Sequence, residues 1–288
     1  MIPVTPGQGW RLSVQHTTGY RYGKEVAASY NEARLIPRTT PRQLPLGTRV
    51  TTSPAGRPIR YVDYWGNQVV AFDVHIPHTE LTVTSSAVVE TSPPPLAPPE
   101  PASWAVLRDP GATDPFTEYL MPTAQTPTHP VLEEVARALA AQHDPVDMVV
   151  AAGNWVRETM TYRPGATAVH TSAVEAWEVG EGVCQDFAHV GLVLLRAAGV
   201  PARYVSGYLH TQPDAPVGQV VTGESHAWVE AWVGNWVGYD PTAGDVPGER
   251  HVVVGYGRDY ADVLPLRGIY SGGSVASLGV TVEVTRLA

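Results

Sequence analysis

From Trp10 to about Glu90, apolar and polar positions alternate in short runs, the period of half-buried strands. Tyr20, Tyr22, Tyr30, Tyr61 and Tyr64 recur among Val and Thr, and Pro54-Ala-Gly56, Trp65-Gly-Asn67 and Ile76-Pro77 punctuate them as turns. Val69 to Ile76 and Glu80 to Val89 read as later strands of one antiparallel unit, a β-sandwich or curled sheet. The alternation stops near residue 92. Eleven of the forty positions from 91 to 130 are proline, which predicts an extended linker without regular structure over 93–130. Trp104, Phe116, Tyr119 and Leu120 could pin it to a domain surface.

The period then changes to that of helices. Val131 to Ala140 has it, and Asp144-Pro145 supplies an N-cap and a first-turn proline for a second helix. Ser172-Ala-Val-Glu175 has the form of a capping box ahead of a short helix. Phe187, Val190, Gly191, Leu194 and Ala198 mark a further amphipathic helix, with Arg196 in its last turn and Gly199 and Pro201 as the stop. After Pro201 strands return at Ala202–Leu209, Ser225–Val233, Trp236–Thr242, His251–Tyr256 and Leu278–Val284. The prediction is an α+β protein: an N-terminal antiparallel β-sandwich domain (1–92), the linker (93–130), and a core of helices packed on an antiparallel sheet that includes the C-terminal strands (131–288).

Composition narrows the function. A formal charge of −9 with no run of Lys or Arg disfavours nucleic acid and anionic membranes as partners. No apolar run approaches the length of a membrane span, and Met1-Ile-Pro-Val-Thr-Pro-Gly has no signal-peptide pattern, so a cytoplasmic location is expected. A single cysteine excludes an intramolecular disulfide and a multi-cysteine metal site. His75 and His78, split by Pro77, lack a third ligand and read as turn residues. No cofactor or metal is expected.

That single cysteine, Cys184, opens a predicted helix between glycines and apolar positions. Unsatisfied N–H groups and the helix dipole there favour a thiolate, and Gly180 and Gly182 leave the backbone open to a substrate. A nucleophilic thiol needs a base and a group that orients the base. His226 opens one strand and Asp240 closes the next, so a Cys184–His226–Asp240 set is possible, with His189 left to structure. This demands a register. Closing the hairpin on Gly234-Asn235 would turn Asp240 to the face opposite His226. A three-residue loop, Val233-Gly234-Asn235, puts both on one face.

Gly182-Val-Cys-Gln-Asp-Phe-Ala-His189, Arg196-Ala-Ala-Gly-Val-Pro-Ala-Arg-Tyr-Val-Ser-Gly207, His226-Ala-Trp-Val-Glu230 and Asp240-Pro-Thr242 together resemble the core of the transglutaminase-like superfamily. Asn31-Glu-Ala-Arg-Leu-Ile-Pro37, Asp63-Tyr-Trp-Gly-Asn67 and Gly257-Arg-Asp-Tyr260 resemble the flanking parts of its bacterial members. The resemblance implies a papain-like core with Cys184 as nucleophile, His226 as base and Asp240 as orienting acid, and importance for Asp186 and Arg203 in holding the core. It implies chemistry on an amide of a peptide or protein through a thioester. Hydrolysis by a cysteine peptidase or amidase is expected first, and glutamine acyl transfer or a non-catalytic binding module remain as alternatives. Tyr162 and Trp177 are candidate oxyanion donors, and Trp228 a candidate wall of a substrate slot.

Overall fold

A computed structural model describes residues 9–94 and 100–288; the start of the chain and the stretch 95–99 of the proline-rich segment lie outside them. Five strands come first: β1 (Trp10–Ala33), β2 (Gln43–Ser53), β3 (Ile59–Val62), β4 (Gln68–Val74) and β5 (His78–Thr91). The alternating pattern is realised, but as one sheet built around a long, bent β1. Trp10–Arg21 pairs with β5, whereas Ser29–Ala33 pairs with β4. The register breaks between Arg21 and Val26, and such a bulge bends a strand. The two halves thereby face each other: Leu81 and Val83 of β5 share a core with Val70, Phe72 and Val74 of β4 and with Leu35 and Ile36.

The last two strands, β13 (Leu266–Gly272) and β14 (Val275–Arg286), correct the expected domain organisation. They pair with the other edge of β1, from Leu12 to Ala33, and not with the core sheet. A short strand, β9 (Val220–Thr222), extends that sheet beyond β14. Alternation in β14 announces a strand but is silent about its partner.

The linker also departs from expectation. It carries α1 (Trp104–Leu107), α2 (Pro110–Thr113) and a 3₁₀ turn (Asp114–Tyr119). Ser103 and Asp109 cap the two helices, and Pro110 and Pro115 fall in first turns, where proline sacrifices no hydrogen bond. Phe116 packs on Trp232 and Trp236, and Tyr119 on Trp236 and Trp65, so the segment runs across the core sheet.

In the core, α3 (Pro130–Ala140), α4 (Pro145–Thr159) and α5 (Ala173–Val179) surround α6 (Cys184–Ala197), and a short parallel pair, β6 (Thr161–Tyr162) and β7 (Glu181–Gly182), leads into it. The caps read from the sequence are formed: Asp144 accepts from the Val146 and Asp147 N–H groups, and the Ser172/Glu175 box is complete. Residues 185–196 of α6 are all buried. Arg196, read as a dipole partner, reaches the carbonyls of Tyr119, Ala202 and Arg258 and the Thr126 hydroxyl, and so ties four segments together. Beneath α6 lies the antiparallel sheet β11 (Trp236–Tyr239), β10 (Glu224–Trp232), β8 (Ala202–Leu209) and β12 (His251–Gly257), in that order.

The two sheets meet through Leu12, Val14, Ala87 and Val89 on one side and Tyr208, Val252 and Val254 on the other. Two side-chain amides extend the contact along β12. Gln43 accepts from the Val253 N–H at 2.7 Å and donates to the Val253 carbonyl at 2.7 Å. Asn67, in the Trp65-Gly-Asn67 turn, does the same to Tyr256, at 2.8 and 2.9 Å. Each amide supplies what a neighbouring strand would give, so the edge of the core sheet is covered.

Candidate active site

Cys184 begins α6, and its partly exposed thiol lies 4.0 Å from the Ser225 carbonyl oxygen of β10. The turn that delivers it is built by Gly180, at φ +72° as the left-handed cap of α5, and Gly182, where a Cβ would strike the Asp186 carboxylate at 2.6 Å. Asp186 is buried in the first turn, accepting from the Val183 N–H at 2.7 Å and the Thr167 hydroxyl at 2.6 Å. Burial raises its pKa against the lowering effect of those bonds.

β10 and β11 pair as Val229–Tyr239, Glu230–Gly238, Ala231–Val237 and Trp232–Trp236. The loop is Val233-Gly234-Asn235, three residues long, with Gly234 at φ +92°. The tempting two-residue turn is avoided, and His226 and Asp240 share a face. His226 Nε2 lies 2.6 Å from Asp240 Oδ2. With Nε2–H donated to the carboxylate, Nδ1 is the ring nitrogen left to exchange a proton, and it is buried.

Asp240 is fully buried and surrounded by donors. Its Oδ1 accepts from the Thr242 and Ala243 N–H groups at 2.9 and 3.1 Å, and its Oδ2 from His226 and, at 3.3 Å, from His251. Burial opposes its ionisation, but the bonds from both histidines outweigh burial and hold it well below the usual carboxylate range. Burial likewise opposes the His226 imidazolium. Hydrogen bonds to Asp240 and Cys184, then their negative charge, overcome it and push the pKa up to about 10.

His251 is the residue the sequence did not mark. It opens β12, on the far side of β8 from β10, so only the assembled sheet brings it to Asp240. Its Nδ1 accepts from the Gly248 N–H at 3.2 Å, which fixes the proton on Nε2. Burial lowers its pKa, and the Asp240 bond recovers only part of that, so the ring is neutral. His226, Asp240 and His251 offer ligand-type atoms within 4.8 Å of one another. With both Nε2 atoms protonated against one carboxylate, hydrogen bonding accounts for the cluster without an ion.

Of the other candidates, Tyr162 is half exposed and close enough to Cys184 to sense its charge. Burial first, then the Cys184 and Glu224 charges, push its phenol up to about 12. Trp228 does not line a slot. It is 1% exposed, with Val205 and Tyr256 as neighbours and its ring edge-on to His251. A Cβ on Gly207 would lie 2.6 Å from this ring, so glycine makes room for an indole that floors the histidine pair. Trp177 packs against His129 and the helical core. Arg203 pairs with Glu230 between the rings of Trp236 and Tyr256, and His189 accepts the Tyr260 N–H. His75 and His78 lie in the β-domain, bonded to Asp73 and to the Ile76 carbonyl.

Residues 133–241 match the transglutaminase-like superfamily, and residues 12–90 match the bacterial transglutaminase-like N-terminal region. An uncharacterized protein of Mycobacterium leprae is 51% identical over 97% of this chain and 100% of its own length. An uncharacterized protein of Mycobacterium tuberculosis is 37% identical over 95% of this chain and 92% of that one. Among solved structures, a candidate cysteine protease from Cytophaga hutchinsonii superposes with a TM-score of 0.77 at 23% identity, covering 98% of this chain and 92% of the other.

Proposed function

The chain belongs to the transglutaminase-like superfamily, whose fold serves cysteine hydrolases and acyltransferases, and we propose that it is a cysteine hydrolase of amide bonds in a peptide or protein. The observation that carries this reading is the 2.6 Å His226–Asp240 bond, which leaves Nδ1 as the ring nitrogen available to Cys184 at the start of α6.

Cys184 gives its proton to His226 Nδ1 and attacks the amide carbon. The C–N bond breaks as the imidazolium protonates the departing nitrogen, leaving a thioester. Water then adds to the thioester, His226 takes a proton from it, and the carboxylic acid leaves as the thiol is restored. Asp240 holds the ring and stabilises its positive charge. The oxyanion is met by N–H groups of the first turn of α6, which no helical carbonyl precedes. The Tyr162 hydroxyl, protonated throughout the neutral range, is the side-chain donor of this proposal.

The test is a product mass measurement on a mixed peptide library, with and without an excess of a primary amine. Free acids formed in both cases support hydrolysis. Amine adducts with little free acid would replace it by acyl transfer, and no product at all would leave a binding module.

A further inference from the structure

We propose that Glu224 forms a subsite for a positively charged group that the substrate carries next to the amide attacked by Cys184. This names a substrate class for the hydrolase reading and rests on it.

Glu224 opens β10 two residues before His226, so strand alternation sets both on one face, about 7 Å apart along the strand. The residue between them, Ser225, gives the carbonyl that touches the Cys184 thiol. Glu224 is exposed, and among the described residues no cation or hydrogen-bond donor meets its carboxylate. The other carboxylates nearby are engaged: Glu181 with Arg163 at 2.9 Å, Glu230 with Arg203, and Asp240 with its histidines. The charges of Glu224 and Cys184 both reach Tyr162, so the three groups lie near one another. The backbone that carries Glu224 is fixed from the other domain, since the Gly223 N–H donates to the Val282 carbonyl of β14 at 2.9 Å.

The chemistry gives this placement its meaning. An unpaired carboxylate beside a thiolate and a forming oxyanion works against both, because like charges repel. A cationic group on the substrate, an ammonium or a guanidinium, removes that penalty once bound. The attack is then favoured in the complex with the correct substrate and disfavoured with an anionic one.

Because Cys184 is the only cysteine, thiol reagents report the surroundings of this residue alone. The probes are two methanethiosulfonates, one bearing a trimethylammonioethyl group and one a sulfonatoethyl group. The thiolate attacks the sulfenyl sulfur and expels methanesulfinate, leaving a mixed disulfide. The ratio of cationic to anionic rates is expected to exceed that for β-mercaptoethanol. It should fall about fivefold or more in Glu224→Gln and further in Glu224→Lys, and shrink with added salt. A ratio unchanged in both variants would overturn the subsite. If the ratio shifts but the wild type cleaves no peptide, the hydrolase reading fails while the cation subsite stands. If peptides are cleaved and the ratio does not shift, the reverse holds.

Discussion

His251 lies 3.3 Å from Asp240, on the oxygen that already accepts from His226. A carboxylate with donors on both oxygens has one orientation, and on the reading of Asp240 as the orienting acid we expect His251 to be a positioning residue for it. His251→Phe is expected to lower kcat about tenfold with KM nearly unchanged, the size expected for removing a charged-group hydrogen bond of about 1.5 kcal/mol. His251→Gln, whose amide can still donate, should recover most of that loss. A purely packing role would favour Phe over Gln.

Cys184→Ala should abolish product formation and leave circular dichroism and the unfolding midpoint unchanged. In the intact protein iodoacetamide should add one label. That labelling at pH 6.5 should slow about tenfold or more in His226→Ala, where the thiol loses its proton acceptor. Equal labelling rates would separate His226 from Cys184.

Tyr162→Phe removes only a hydroxyl from a half-exposed ring. A loss in kcat of about 10²–10³, the size found for an oxyanion donor, is expected, with the fold intact. A loss below about threefold would reduce Tyr162 to a packing neighbour of Cys184.

Buried neutral histidines set the acid limit of stability. Burial holds His16 at about 4, and burial followed by the Arg196 charge holds His189 at about 3. Unfolded, both titrate near 6.5, so below that pH the unfolded chain takes up protons that the folded one refuses. Stability is therefore fully present above 6.5 and is lost as pH falls toward the folded values. Each histidine contributes about 1.4 kcal/mol per pH unit in that window. Urea unfolding at pH 5.5 and 4.5 should differ by about 3 kcal/mol, and a flat profile would contradict the burial of the two rings.

How far the site was legible follows from how local its signals are. A thiol at a helix start, a histidine opening a strand and an aspartate closing the next are each written within a few residues. Even the hairpin register followed from parity, because one slipped residue would have turned Asp240 away. His251 was illegible because its approach to Asp240 passes through β8, and strand order is a property of the whole sheet. Trp228 misled for a related reason: an aromatic beside a base reads as a slot until Gly207 reveals the space beneath it. In the linker, proline density hid helical turns whose caps, Ser103 and Asp109, were visible all along.

The pairing of β1 with β13 and β14 makes the two expected domains of the chain a host and an insert. The helical core is spliced between two parts of one sheet, and the ends of that sheet are tied where the Arg11 N–H meets the Ala288 carbonyl and the Leu287 N–H meets that of Arg11. A fragment ending near residue 92 would therefore bare the edge of β1 along most of its length, an invitation to pair with other chains. On the ribosome, that edge waits until the core has emerged. The amides of Gln43 and Asn67 accordingly gain their partners on β12 only after Cys184, His226, Asp240 and His251 have all been made.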